Sequence, residues 1–148
     1  MENTVEQTHT FKKQPIDVDS AHLSATYLPE KETVIVTATN SFIPGPSFKQ
    51  AFNSLGDFIK TNSVKKLIFD KRELKTFHQP SMTWYHVEWK NEMSDYGLKT
   101  HRKILPKDEL FVNSVQIGRQ KIVEDNPDFD INKFDIQYFE TIEECIEN

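Results

Sequence analysis

The sequence holds a single cysteine, Cys145, so no disulfide forms within the chain, and a reducing compartment is the default expectation. Its four glycines are widely separated and leave no phosphate-cradling loop; neither a Walker motif nor G-x-S-x-G is present. Apolar runs are short, as in Val34-Ile35-Val36 and Leu67-Ile68-Phe69, whereas a membrane-spanning helix needs about 20 such residues. The first fourteen residues are polar, carry His9, Lys12 and Lys13, and lack the apolar stretch of a secretory signal. A cytoplasmic protein without membrane insertion is therefore expected. The net charge of −5 argues against nucleic-acid binding, which draws its affinity from neutralising phosphates.

What is present is one domain's worth of chain, 148 residues with 36% hydrophobic side chains and eleven phenylalanines. Residues 1–20 read as a poorly ordered lead-in whose end can join a sheet edge, and residues 21–148 as the folded domain. His22 to Leu28 alternates, Pro29-Glu30-Lys31-Glu32 turns, and Thr33 to Thr39 is rich in β-branched residues, which together predict a β-hairpin. After Pro44-Gly45-Pro46, the spacing of Phe48, Phe52, Leu55, Phe58 and Ile59 predicts a helix with one apolar stripe. Leu67-Ile68-Phe69 suits a buried strand. A second helix is predicted from Pro80 to Tyr96, with Met82, Tyr85, Trp89, Met93 and Tyr96 on its inner face and Gly97 as its left-handed cap. Ile104-Leu105-Pro106 reads as a further short strand, Asp108 to Glu124 as a helix interrupted by Gly118, and Phe134 to Tyr138 as the last strand. Thr141 and Glu144 form a capping-box pair ahead of a short terminal helix.

The resulting order is β-β-α-β-α-β-α-β-α. Strands alternating with helices imply an α/β fold, a mostly parallel sheet with an antiparallel hairpin at its start and helices packed on it. Within that order, Asp70-x-Arg72, eleven residues, Trp84, four residues, Trp89, seven residues, Gly97-Leu98-Lys99 and then Pro106 resembles the short bacterial STAS-like (SpoIIAA-like) proteins over residues 22–147. The resemblance implies a single STAS-like domain that acts by protein contact in signalling assemblies. It also implies a phosphorylated serine in an Asp-Ser-Ser-Gly-like motif at the start of the helix after the third strand. The matching stretch here is Phe77-His78-Gln79-Pro80-Ser81, in which His78 stands for the aspartate, Gln79 and Pro80 for the serines, and Ser81 for the glycine. No acceptor serine sits in register, so the usual switch is not expected; Ser81 and Thr83 are the nearest hydroxyls.

The candidate interaction residues are Asp70, Arg72, His78, Ser81, Trp84 and Glu88. Asp70 and Arg72, two apart at a strand end, point the same way. They are either an ion pair ordering the loop or part of a ligand site at the carboxyl end of a parallel strand. Trp84 shares a helix face with Glu88, Asn91 and Asp95, and reads either as a contact surface or as a ring covered by the first helix or the lead-in. Histidines 22, 78, 86 and 101 show no metal spacing and read as surface or packing residues. Asp128-x-Asp130-x-Asn132 starts like a calcium loop, but Lys133 and Phe139 stand where glycine and glutamate are required. No cofactor, metal or catalytic residue is expected.

Residues 121–148 carry nine acidic and two basic side chains, net −7 against a chain total of −5, which leaves +2 for residues 1–120. Lys65, Lys66, Lys99, Arg102, Lys103 and Lys107 flank the third and fourth strands as a basic counter-patch, and head-to-tail contact in a homo-oligomer is compatible with this split. The leading functional expectation is a non-enzymatic regulatory or scaffold module with an unknown protein partner. The alternative is a carrier or sensor for a small apolar or anionic ligand, held where helices cover the strand ends. An enzyme ranks last, for want of an acid–base pair or a nucleophile constellation.

Overall fold

The structure, a computed structural model, describes residues 11–148. Six strands form one sheet: β1 (Gln14–Ile16), β2 (Leu23–Leu28), β3 (Thr33–Ala38), β4 (Lys66–Asp70), β5 (Thr100–Ile104) and β6 (Asp135–Tyr138). They lie side by side in sequence order. The pairs β1–β2 and β2–β3 are antiparallel and the other three are parallel. This is the α/β architecture that the alternation of strands and helices predicts. The end of the lead-in does join the sheet edge: Ile16 pairs with Ala25, and Val18 enters the core. The hairpin turn Pro29–Lys31 closes on Glu32, held in the left-handed region at φ 48°.

Three helices cross between the parallel strands: α1 (Gly45–Thr61), α2 spanning residues 79–94, and α3 (Glu109–Asp125). Parallel crossovers are right-handed, and strands laid down in sequence order always advance in one direction. All three crossover helices must therefore cover the same face of the sheet. The core clusters agree. Leu67 and Phe69 of β4 join Phe48, Phe52, Leu55, Tyr85, Trp89, Met93 and Phe111 in one cluster. The opposite face holds a smaller cluster, in which Ile68 and Ile104 meet Cys145 and Ile146 of the terminal helix α4 (Ile142–Glu147). Alternation along each strand sends neighbours to opposite faces, so β4 feeds both clusters.

The predicted apolar stripe of α1 is buried at Phe48, Phe52, Leu55 and Ile59 and half-buried at Phe58, and each fully buried large side chain contributes roughly 1.5–3 kcal/mol. Phe48, Phe52, Phe69, Tyr85 and Trp89 form a connected aromatic stack, the Phe48–Phe52 centroids being 4.5 Å apart and the Phe52–Trp89 centroids 5.0 Å. Gly56 lets α2 approach: a Cβ there would stand 3.3 Å from Met93 Cε and 3.4 Å from Trp89 Nε1. That closeness allows the Trp89 indole to donate to the Phe52 carbonyl at 2.7 Å.

α2 is not a uniform helix. Residues Gln79–Trp84 and Lys90–Ser94 are α-helical, but Tyr85–Trp89 between them form a π-turn, in which the Lys90 amide donates to the Tyr85 carbonyl. A wider turn advances each residue by less than the 100° assumed in reading the sequence. Tyr96, expected on the inner stripe, is consequently half exposed, while His86 and Lys90 turn inward. Gly97, at φ 101°, ends the helix as predicted, with the Leu98 amide donating to Met93 O and the Gly97 amide to Ser94 O. The fifth strand also departs from expectation. It is Thr100–Ile104, not Ile104-Leu105-Pro106, and its charged residues lie inside the protein.

Candidate functional site

At the carboxyl ends of β4 and β5, under α2 and α3, the fold buries a set of basic side chains. Lys71 follows β4; Lys103 lies on β5; His86 and Lys90 come from the π-turn and the residue after it. All four are less than 5% exposed. Lys90 Nζ stands 3.2 Å from His86 Nδ1, and Lys103 Nζ stands 3.5 Å from His86 Nε2. An imidazole in either neutral tautomer carries a proton on one ring nitrogen, and an ammonium group has no lone pair to accept it. The amine facing that N–H is therefore neutral.

The surroundings enforce the same state. Among the described residues, no carboxylate forms an ion pair with Lys71, Lys90 or Lys103. Burial is the largest influence on each, and the neighbouring cations add to it. Together they lower Lys71 to about 8 and hold Lys90 and Lys103 well below the ordinary lysine value. Burial and the adjacent lysines likewise push His86 and the fully buried His101 well below the usual histidine range. The amines rest on ring faces instead: Lys71 Nζ lies 4.8 Å from the Phe69 centroid, and Lys90 and Lys103 lie 4.8 and 5.4 Å from that of Tyr85. The Tyr85 hydroxyl and both His101 ring nitrogens are buried without a hydrogen-bond partner.

A cleft opens onto this set between α2 and α3. Its polar lining is Lys71, Gln79, His86, Lys103 and Arg119, and its walls are Phe77, Met82, Val115 and Ile122. The free space is about 20 Å³, room for one or two water-sized atoms. Gln79 crosses the mouth and donates to the Gly118 carbonyl at 3.3 Å. A Cβ on residue 118 would come within 2.5 Å of Gln79 Oε1, so Gly118, which α3 runs through without the interruption expected from sequence, makes room for this crossing. Arg119 stands at the rim, its guanidinium donating to the Tyr138 hydroxyl at 2.9 Å. The position matches the rule that open α/β sheets place ligands beyond the carboxyl ends of their strands.

The residues singled out from sequence do not assemble into one site. Asp70 points to the opposite face, where its carboxylate accepts from Arg72 Nε at 3.0 Å and Nη2 at 2.7 Å. That hydrogen bond raises the Arg72 pKa, while the side chain stays half exposed. His78 Nδ1 lies 2.8 Å from the Ser81 hydroxyl at the start of α2. Ser81 is buried, and Thr83 donates to Gln79 O at 3.3 Å. Trp84 is half-buried, covered by the first helix: its ring meets Phe48 edge-on at 6.4 Å and Lys49 Nζ at 5.4 Å. Glu88 is exposed. The expected basic surface patch is corrected as well, because Arg102 and Lys103 are each 2% exposed.

No protein-family model matches this chain, and no curated protein matches it. Among the described residues, no group of three or more His, Cys, Asp or Glu side chains could hold a metal ion, and no helix is long and apolar enough to cross a membrane. Asp130 instead caps the turn Ile131–Lys133 by accepting from the Asn132 amide.

Proposed function

We propose that this protein is a binding module for a small organic anion, acting as a carrier or sensor rather than by turnover. One observation carries the reading: a cleft floored by Lys71, His86 and Lys103, rimmed by Arg119, with no carboxylate paired to those lysines among the described residues. Buried cations without counter-charge are costly; an entering carboxylate supplies the missing charge and favours proton uptake from solvent at Lys103. The apolar walls suit a short carbon chain, and the free space suits a head group of carboxylate size. Isothermal titration of propionate, with propionamide as the neutral isostere, tests this. Propionate should bind with proton uptake and propionamide should not. Equal binding of both, or binding of neither, overturns the reading.

A regulatory module of the STAS-like kind, working in the bacterial cytoplasm through protein contact and without the usual serine switch, is the second reading. It is favoured by Leu110 and Ile117, 78% and 68% exposed one heptad apart on α3, the helix that walls the cleft. Ligand binding beneath α3 and partner contact on its outer face are compatible. Loss of self-association or partner capture in Leu110→Glu and Ile117→Glu, with folding intact, supports this reading; unchanged capture removes it.

A further inference from the structure

We propose that Lys71 captures a small 2-oxo acid as a reversible imine, so that the anion taken by the cleft is a carbonyl compound bound covalently. This rests on the anion-binding reading and names its ligand class. Lys71 differs from the other buried lysines in what its amine faces. Lys90 and Lys103 engage the two nitrogens of His86, whereas Lys71 Nζ has the Met82 thioether at 3.9 Å and the face of Phe69. Neither neighbour ties up the nitrogen lone pair, and Lys71 lines the cleft. The same surroundings that lower its pKa leave an appreciable minority of the amine neutral near physiological pH.

The chemistry closes within the cleft. With the carboxylate held by Lys103 and Arg119, the adjoining carbonyl carbon meets Lys71. The nitrogen lone pair forms the C–N bond while the C=O π pair moves to oxygen, which takes a proton to give a carbinolamine. The nitrogen passes its extra proton to the Lys103–His86 pair, which protonates the hydroxyl; the nitrogen lone pair forms C=N as water leaves, and the resulting iminium returns its remaining N–H proton to the pair to give the imine. Amine plus oxo acid becomes imine plus water, with no oxidant or reductant. Hydrolysis reverses it. The restricted space selects the smallest members of the class, of which glyoxylate is the natural probe.

The test is trapping. The protein is incubated at neutral pH with glyoxylate and cyanoborohydride, which reduces the imine to a stable carboxymethyl amine, and the product is mapped by peptide mass spectrometry. Labelling of Lys71 should exceed that of the exposed Lys99 by about tenfold or more, as expected for an amine with a far larger neutral fraction. Propionate should compete it away, and folded Lys71→Met should lose it. Labelling spread evenly over surface lysines overturns the imine alone if propionate still binds, and both readings if propionate does not. Transfer of the preferred label to Lys103 also overturns the assignment to Lys71, and the wild-type peptide map decides this even if the variant fails to fold.

Discussion

Both faces of the sheet bury basic side chains, and they treat them in opposite ways. Under α4, every cation has an oxygen. Lys66 Nζ donates to the carbonyls of Cys145 and Ile146 at 2.8 and 2.9 Å, and so anchors the carboxyl end of a helix where cations are favoured. Arg102 donates to the Asp135 carboxylate at 2.9 Å, to the Asp135 carbonyl at 2.9 Å and to the Asn148 carbonyl at 2.7 Å. Under α2 and α3, Lys71, Lys90 and Lys103 have thioether, imidazole and ring faces. The first arrangement pairs its charges within the fold, although Arg102 Nε is buried without a partner, and it holds the terminal helix in place. The second lacks the charge that would complete it. Adjacent residues of β5 enact the contrast, Arg102 facing one way and Lys103 the other.

The largest effect should come from breaking the satisfied face. Arg102→Met removes the donor to three carbonyls, of His101, Asp135 and Asn148, and to the Asp135 carboxylate, and should cost about 3 kcal/mol in urea denaturation. The same change on the other face should have the opposite sign. Lys90→Met replaces an amine without a counter-charge by a side chain of similar volume, and should raise stability by about 1–2 kcal/mol while weakening propionate binding. A loss of stability there would show that the two faces are alike after all.

pH sharpens the comparison. The folded Lys71 holds its proton only up to about 8, whereas the unfolded side chain holds it to 10.5. Between those values the unfolded state binds more protons, so stability rises with pH, on the order of 1 kcal/mol between pH 8 and 9. Above about 9 the buried Cys145 thiol, raised to about 11, works the other way, because the unfolded thiol ionises first. Chemical denaturation across pH 7–10 should show a rise that flattens, and Lys71→Met should reduce the rise. The smallest effect belongs to Arg72→Ala. Its partner carboxylate is local and its own side chain half exposed, so a change within about 0.5 kcal/mol is expected from the same denaturation curves.

The fold was legible because its signals are periodic. The stripe from Phe48 to Ile59, the hairpin around Pro29-Glu30-Lys31-Glu32 and the Thr141–Glu144 cap each rest on local spacing, and each is present. The cleft was not legible from spacing, for two physical reasons. Reading α2 at a constant turn put Tyr96 inside, where it is half exposed, and left the i, i+4 pair His86 and Lys90 unread. Reading β5 as apolar shifted it onto Ile104-Leu105-Pro106. One signal was available: a strand lying between parallel neighbours is buried on both faces, so the polar run Thr100-His101-Arg102-Lys103 had to contain interior charges. Of the residues singled out at first, Asp70 and Arg72 form a local ion pair, and Trp84 is half-buried against Phe48 of the first helix.

The π-turn in α2 has an evolutionary reading. A turn closed by an i to i+5 bond holds one residue more than an α-turn over the same stretch of axis. Tyr85–Trp89 is thus equivalent to an ordinary helix that has accepted a single insertion. A chain of the same architecture lacking that residue would run as unbroken α-helix, keep its Met and Trp contacts with the sheet, and have one inward-facing position fewer. Such a chain would share the scaffold with the residues after the turn rotated relative to those before it.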